Sequence, residues 1–377
     1  AASTNAFRAL YPGVANVVGD WSGRLANSDE TIELQTLLGE VVASVHYATE
    51  GDWATRQRGK RALLLEGIAR SGSTATISLF AHNYTAGDRV MISGADQPEY
   101  NGIFTVASPT SATFTIPVPG SPASPATGTI LCRQVVDNGA SGWSWFSGAD
   151  GLGQSLELVN PARSNNEGQN WLTSALLRGT PGAINSVFRT NTAPFVRGVT
   201  HFPPVPRSTD LVAIGARVSD ELSYGVASVS LFYRNHTTAS PPAFTVAPMF
   251  DDGAHNDGVA NDGLYAAMLA ALPNRSIIEF YVQATDSSGL SRTWPAPAWQ
   301  TNGTLAQTAN ALYQVDDEAT TNGMPFLRVV MTETERAELN GIDTASDAEM
   351  NATFISNDGA GIEVRYNAGM RLRGAGS

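Results

Sequence analysis

Polar and apolar residues alternate along much of the chain, and such period-two alternation marks strands whose two faces meet different surroundings. Glu30–Gln35 alternates in this way and is followed, after the turn Leu38-Gly39-Glu40, by the β-branched run Val41–Tyr47. The pair predicts a hairpin. Further strands are expected at 210–218, 226–233 and 277–286, the last carrying the strongest strand pattern in the chain. Between residues 69 and 131, runs such as Thr-Ala-Thr-Ile-Ser-Leu and Ala-Thr-Phe-Thr-Ile-Pro-Val are separated by Gly, Asn and Pro, which predicts a small β-module. Helices are few. Residues 5–10 read as one, stopped by Tyr11-Pro12-Gly13 because proline cannot continue it. Residues 331–339 read as another, with Thr332 as N-cap and Glu335 completing a capping box, followed by strands at 350–355 and 362–366.

Composition agrees with a β-rich reading. Only 15% of residues are charged, Gly 36 and Pro 20 supply many turns, and 377 residues predict two or three domains. The net charge of −12 repels phosphate backbones and anionic lipid, which argues against nucleic acid and membrane-surface partners. No stretch reaches the roughly 18 apolar residues of a bilayer span. The N-terminus lacks a basic segment followed by an apolar core, so any export signal is expected to be removed or to lie outside this chain. Cys132 stands alone, which excludes an internal disulfide framework and reads as a small buried residue.

The densest chemistry lies at 251–263, where an Asx-Asp-Gly unit recurs at a five-residue step. Carboxylate and amide oxygens suit Ca²⁺, and the glycines let the chain turn back, so Asp251, Asp252, Asp257 and Asp262 are candidate ligands of a Ca²⁺ ion. The spacing departs from an EF-hand, and its terminal Glu is missing. A metal-free run of Asx-Gly turns is the other reading of the same residues. His255 beside the loop reads as a turn histidine.

Several stretches carry a family likeness: Asn27-Ser28-Asp29-Glu30-Thr31-Ile32-Glu33-Leu34, Gly51-Asp52-Trp53, Ser155-Leu156-Glu157-Leu158-Val159-Asn160-Pro161, Gln169-Asn170-Trp171 and Gly179-Thr180-Pro181-Gly182-Ala183-Ile184-Asn185. They resemble the second half of a bacterial lamin-tail domain. The resemblance implies an immunoglobulin-like β-sandwich of secreted or surface proteins. The opening strands of that fold have no counterpart before Ala1, so the chain is expected to begin inside a domain. Thr85-Ala86-Gly87-Asp88-Arg89-Val90 and Glu99-Tyr100-Asn101-Gly102-Ile103-Phe104 are similar to short β-repeats of bacterial surface and phage proteins. Residues 196–315 look like a fibronectin- or immunoglobulin-type module. Phe326-Leu327-Arg328-Val329-Val330-Met331-Thr332 and the terminal run from Asn367 to Ser377 resemble the beginning of a CotH-type spore-coat kinase domain.

The expected organisation is therefore a lamin-tail-like sandwich at 1–59 and 137–190, interrupted by a β-module at 60–136. An immunoglobulin- or fibronectin-like sandwich at 191–315 and a truncated CotH-like start at 316–377 follow. The fold class expected is mainly β, with tandem immunoglobulin-like sandwiches, an inserted small β-domain and a short α+β C-terminal segment. No His-Glu-x-x-His or Gly-x-Ser-x-Gly motif occurs, and Arg371-Leu372-Arg373-Gly374-Ala375-Gly376-Ser377 is no complete phosphate loop. Trp53, Trp143, Trp145 and Trp171 could form a platform for carbohydrate, but sandwich-core packing is the favoured reading. These observations point to a non-catalytic β-sandwich array, secreted or displayed on a bacterial surface. Its expected partners are other protein chains or a second copy of itself paired through strand edges. The alternative is the accessory front of a CotH-like secreted kinase.

Overall fold

The alternation read at 210–286 folds as two facing antiparallel sheets. Phe195–Phe202, Val212–Ser219 and Leu264–Leu269 form one. The other orders Thr245–Pro248, Val226–Asn235, Ile277–Asp286 and Ser291–Trp294, with Ala311–Gln314 also paired to Ile277–Asp286. Residues that alternate inward, among them Val196, Ile214, Leu231, Phe280, Val282 and Tyr313, fill the space between the sheets. The protein is thus mainly β, with a sandwich core. This computed structural model describes residues 3–20, 22–23, 25–26, 28–60, 62–135, 141–146, 149, 154–176, 178–318, 325–342, 348–359 and 361–372.

Residues 63–134 enclose a core of their own. One sheet orders Leu63–Leu64, Gly128–Gln134, Arg89–Ala95 and Gly102–Thr105, and the other contains Gly67–Ser71, Thr74–Ser78 and Thr113–Pro117. Ile68, Ile77, Ile92, Tyr100, Phe114, Ile116 and the fully buried Cys132 pack between them. On either side of this unit, Thr55–Arg58 and Trp143–Phe146 pair antiparallel with each other. Their sheet continues through Ala298–Trp299, which lies parallel to Thr55–Arg58, to Leu305–Ala306.

Residues assigned to the first sandwich from the sequence spread over several small sheets among the described residues. Glu30–Gln35 and Val41–Tyr47 form the expected hairpin, in a sheet of two strands only. Leu156–Leu158 pairs with Trp171–Thr173. Around that pair the buried Glu157 carboxylate gathers the chain, accepting from the Thr180 amide at 2.9 Å and from the Ser186 amide and hydroxyl at 2.7 and 2.6 Å. Burial pushes this carboxyl up, and the Ser186 and Thr180 donors outweigh it, leaving it below its usual value. Neighbouring amides complete the knot, with Asn185 Nδ2 donating to the Leu158 carbonyl at 2.9 Å.

The last described strands, Phe326–Val330, Met350–Asn357 and Ile362–Met370, make a three-stranded antiparallel sheet beside helix Glu333–Gly341. Thr332 Oγ1 accepts from the Glu335 amide at 3.2 Å, as a cap should. The expected capping box is only half made. Glu335 turns outward from the helix start and accepts from Trp143 Nε1 at 2.8 Å and the Asn351 amide at 3.0 Å. Tertiary donors displaced the local partner.

A second joint runs from the sandwich to the C-terminal sheet. His201 is buried, stacks on Tyr313 at 5.0 Å, and donates from Nε2 to the Pro204 carbonyl at 3.0 Å, leaving Nδ1 to accept from the Tyr366 hydroxyl. Burial pushes the imidazole down from 6.5 to about 4, against a smaller upward effect of the Pro204 carbonyl. A base with a lowered folded pKa keeps its full contribution above its unfolded pKa and loses it as protons bind the unfolded chain. Acidification from pH 6.5 to about 4 should therefore cost roughly 3 kcal/mol at this residue. Chemical denaturation across that pH range checks it: His201→Gln should flatten the slope, and an unchanged slope would show that other groups govern acid sensitivity.

Candidate functional site

The acidic loop connects Thr245–Pro248 to Leu264–Leu269, and its five-residue repeat is visible in the backbone. Gly253, Gly258 and Gly263 all take positive φ, as do Asn256 and Asn261. Each unit thus bends through the left-handed region, where Gly and Asn are tolerated best. The four predicted ligands lie together in this one loop, but their oxygens face backbone donors. Asp257, fully buried, accepts from the amides of Asp252, Gly253 at 2.8 Å and His255 at 3.0 Å. Asp251 accepts from Asp262 at 3.1 Å and Gly263 at 2.9 Å, and Asp262 from Leu264 at 2.8 Å. Asp252 accepts from the Ala254 amide at 2.9 Å and contacts His255 Nδ1 at 2.9 Å.

Burial raises the Asp257 carboxyl, but the Gly253, His255 and Asp252 amides outweigh it and hold it low. Three N–H groups aimed at one carboxylate are the electrostatic opposite of an oxygen shell, so a Ca²⁺ ion at Asp257 would have to displace them. Among the described residues, no group of three or more His, Cys, Asp or Glu is arranged to hold a metal ion. The ring of His255 stacks on Phe250 at 4.4 Å, which makes it a packing element of the turn.

The tryptophans separate into two sets. Trp143 is 5% exposed and packs with Ala298, Ala309 and Trp145, its ring 5.0 Å from the Arg58 guanidinium. That set packs in a small apolar cluster of its own, apart from the sandwich core where packing was expected. Trp53 and Trp171 are half-buried, with ring centroids 6.0 Å apart and planes inclined by 33°. Together with Trp299 they line a cavity of about 240 Å³ that also receives Asp52, Arg56, Gln169 and Arg292. Gly168 sets this geometry: a Cβ there would lie 2.7 Å from the carbonyl carbon of Asp52 and from the amide nitrogen of Trp53. That close approach brings Gln169 beside Asp52, and its Nε2 donates to Asp52 Oδ2 at 2.6 Å.

Sequence reasoning missed Trp299, Arg56 and Arg292 here. Their separations in the chain gave no spacing signal, and a tryptophan in a Pro-rich stretch was the one local hint. Of the terminal basic run, Arg371 and Leu372 are described, while residues 373–377 lie outside the described residues. No protein-family model matches the chain, and no curated protein matches it.

The hydrogen bonds of Asp257 lead to a specific expectation. Asp257→Ala should lower the melting temperature by several degrees in chelator as well as in millimolar Ca²⁺, because three backbone donors lose their acceptor. Differential scanning calorimetry in both buffers decides the matter. A loss confined to the Ca²⁺ buffer would assign the carboxylate to an ion instead.

Proposed function

We propose that this protein is a non-catalytic β-sandwich array, secreted or displayed on a cell surface, that assembles with neighbouring chains through the Glu30–Tyr47 hairpin. The observation that carries the reading is that this hairpin pairs with no third strand among the described residues. Its apolar side chains stand in water: Leu34 is 63% exposed and Val42 is 62% exposed, with Ile32, Leu37, Leu38 and Val41 exposed beside them. Isolated two-stranded hairpins are marginal in water, and a strand edge with free amides and carbonyls accepts another strand readily. The His46 amide, bonded to Asn166 Oδ1 at 2.8 Å, and the Tyr47 hydroxyl, bonded to the Ala26 carbonyl at 2.7 Å, tether the hairpin base. The tether leaves the apolar tip outward.

The low charge and β-rich architecture support a structural role, and the lamin-tail-like stretches support an extracellular one. Ca²⁺ belongs to this proposal only as an optional stiffener of the acidic loop. Sedimentation over a hundredfold concentration range, read with hydrogen exchange, tests the assembly. Self-association should appear at high concentration, with hairpin amides gaining protection as it does. The double substitution Leu34→Lys and Val42→Lys should abolish both while leaving the sandwich melt unchanged. Hairpin amides already as protected in the dilute monomer as those of Ile277–Asp286 would overturn the reading.

A further inference from the structure

A second feature, independent of the hairpin, lies where the tryptophans gather. The cavity of about 240 Å³ shares Thr55, Thr173 and Trp299 with a second cavity of about 520 Å³, lined also by Gln57, Met91, Arg133, Phe146 and Gln154. Trp299 stands at the divide, 40% exposed. The two hollows form one trough, with a combined extent in the range of ordinary ligand sites.

We propose that this trough binds an acidic oligosaccharide, its sugar rings against Trp53, Trp171 and Trp299 and a sugar carboxylate turned toward Arg133. The aromatic surface is the first reason. A sugar ring carries C–H groups on its faces and hydroxyls around its rim, so it needs a flat apolar wall with polar groups at the margin. Trp171 is oriented by its indole N–H, which donates to the Asn165 carbonyl at 2.8 Å. The indole N–H groups of Trp53 and Trp299 have no acceptor among the described residues, and each can donate to a ligand hydroxyl. Tryptophans serving only as core would be enclosed as Trp143 is; these three instead border one open hollow.

The polar margin is the second reason. Asp52 Oδ2 is taken by Gln169, while Oδ1 has no donor among the described residues and can accept from a hydroxyl. Arg56 is 6% exposed, with Nη1 bonded to Asn367 Oδ1 at 3.1 Å and Nη2 to the Ala296 carbonyl at 2.6 Å, while its Nε is buried without an acceptor. Arg292 donates from Nε to the Pro194 carbonyl at 2.9 Å. Asp52 thus stands among two guanidiniums and an amide, a mixed set of planar donors and acceptors suited to vicinal hydroxyls.

Charge selects the class of sugar. Arg133 is 5% exposed, and its N–H groups meet the Gln300 and Arg58 carbonyls and the Met91 sulfur. Among the described residues no carboxylate forms an ion pair with it. Three guanidiniums, Arg56 and Arg292 beside Asp52 and Arg133 in the adjoining hollow, thus line the trough with a single carboxylate, Asp52, inside a chain whose net charge is −12. An aromatic cage for ammonium ligands needs the opposite balance. The partners of Arg133 are neutral, so the buried cation lacks a counter-charge, which a ligand carboxylate beside it would supply.

Isothermal titration of the full chain tests the proposal with trimers of galacturonic, glucuronic and mannuronic acid, their neutral counterparts, and choline. At least one uronate trimer should bind tenfold or more tightly than its neutral counterpart. Trp299→Ala should weaken that binding at least tenfold, and Arg133→Met should bring the uronate down to the level of the neutral sugar. Thermal melts show whether each variant is folded. If Arg133→Met does not fold, the charge is read from wild type, whose uronate affinity should fall with added salt while residual neutral-sugar affinity stays level. Absence of uronate binding, preference for the neutral sugar or choline, or unchanged affinity in a folded Trp299→Ala would overturn it.

Discussion

The strand Ile277–Asp286 is the constraint on which most of the structure depends. It pairs with three other strands, and its alternate residues Ile278, Phe280, Val282 and Ala284 are almost fully buried. Truncating an aromatic side chain in such a position typically costs about 3–5 kcal/mol, a large part of a domain's net stability. In the same strand Glu279 is 3% exposed and accepts from Arg234 at 2.7 Å, His236 at 2.6 Å and Asn310 at 2.7 Å. Burial raises its carboxyl, and His236 and Arg234 more than offset that. The carboxyl ends below its ordinary value. A buried carboxylate so furnished fixes register, because a slip of one residue would present it to the apolar core without these donors.

Around this centre the chain is joined by acids that leave their local partners for distant ones. Glu338 accepts from the Ser141 and Gly142 amides at 2.9 and 3.1 Å and pairs with Arg58, while Glu335 lies 3.6 Å from the same guanidinium. One face of a short helix thereby clasps both strands that flank residues 63–134. Burial raises Glu335 above the usual carboxyl value despite Arg58, whereas Glu338, also opposed by burial, is held below it by Arg58 and the two amides. The two carboxylates answer different needs. Glu338 is the charge partner of Arg58, and Glu335 organises Trp143 and Asn351.

How much of this was legible follows from where each signal resides. The hairpin, the strand at 277–286 and the helix cap depend on neighbours in sequence, and each lies at or within a few residues of its expected place. Asp-Gly repetition likewise announced a tightly turning loop, and the positive φ values at Gly253, Gly258 and Gly263 follow its period. Whether those carboxylates meet an ion or amides is decided by loop closure, which a spacing does not encode. Of the trough, only Trp53 and Trp171 stood out in the sequence, as members of a possible carbohydrate platform, and the rest was hidden for a stronger reason. Asp52 and Gln169 on one side of Trp299 and Arg133 on the other come to line adjoining hollows only after three sheets and the 63–134 unit have packed, and no periodicity links such positions.

That late assembly also explains how the trough holds its shape. Gly303, at φ +81°, lets the turn after Trp299 lie against Met91; a Cβ there would overlap the Met91 side chain. Gln300, in the same turn, offers its carbonyl to Arg133, while its own Nε2 donates to Thr308 Oγ1 at 2.8 Å. The guanidinium therefore draws the Trp299 turn onto the 63–134 unit, and that turn in return supplies the carbonyl that makes burial of the charge tolerable. Aromatic wall and cation are set by one contact. The Trp299 turn is thus held on one side by the Gly303–Met91 approach and on the other by the Gln300 carbonyl's bond to Arg133.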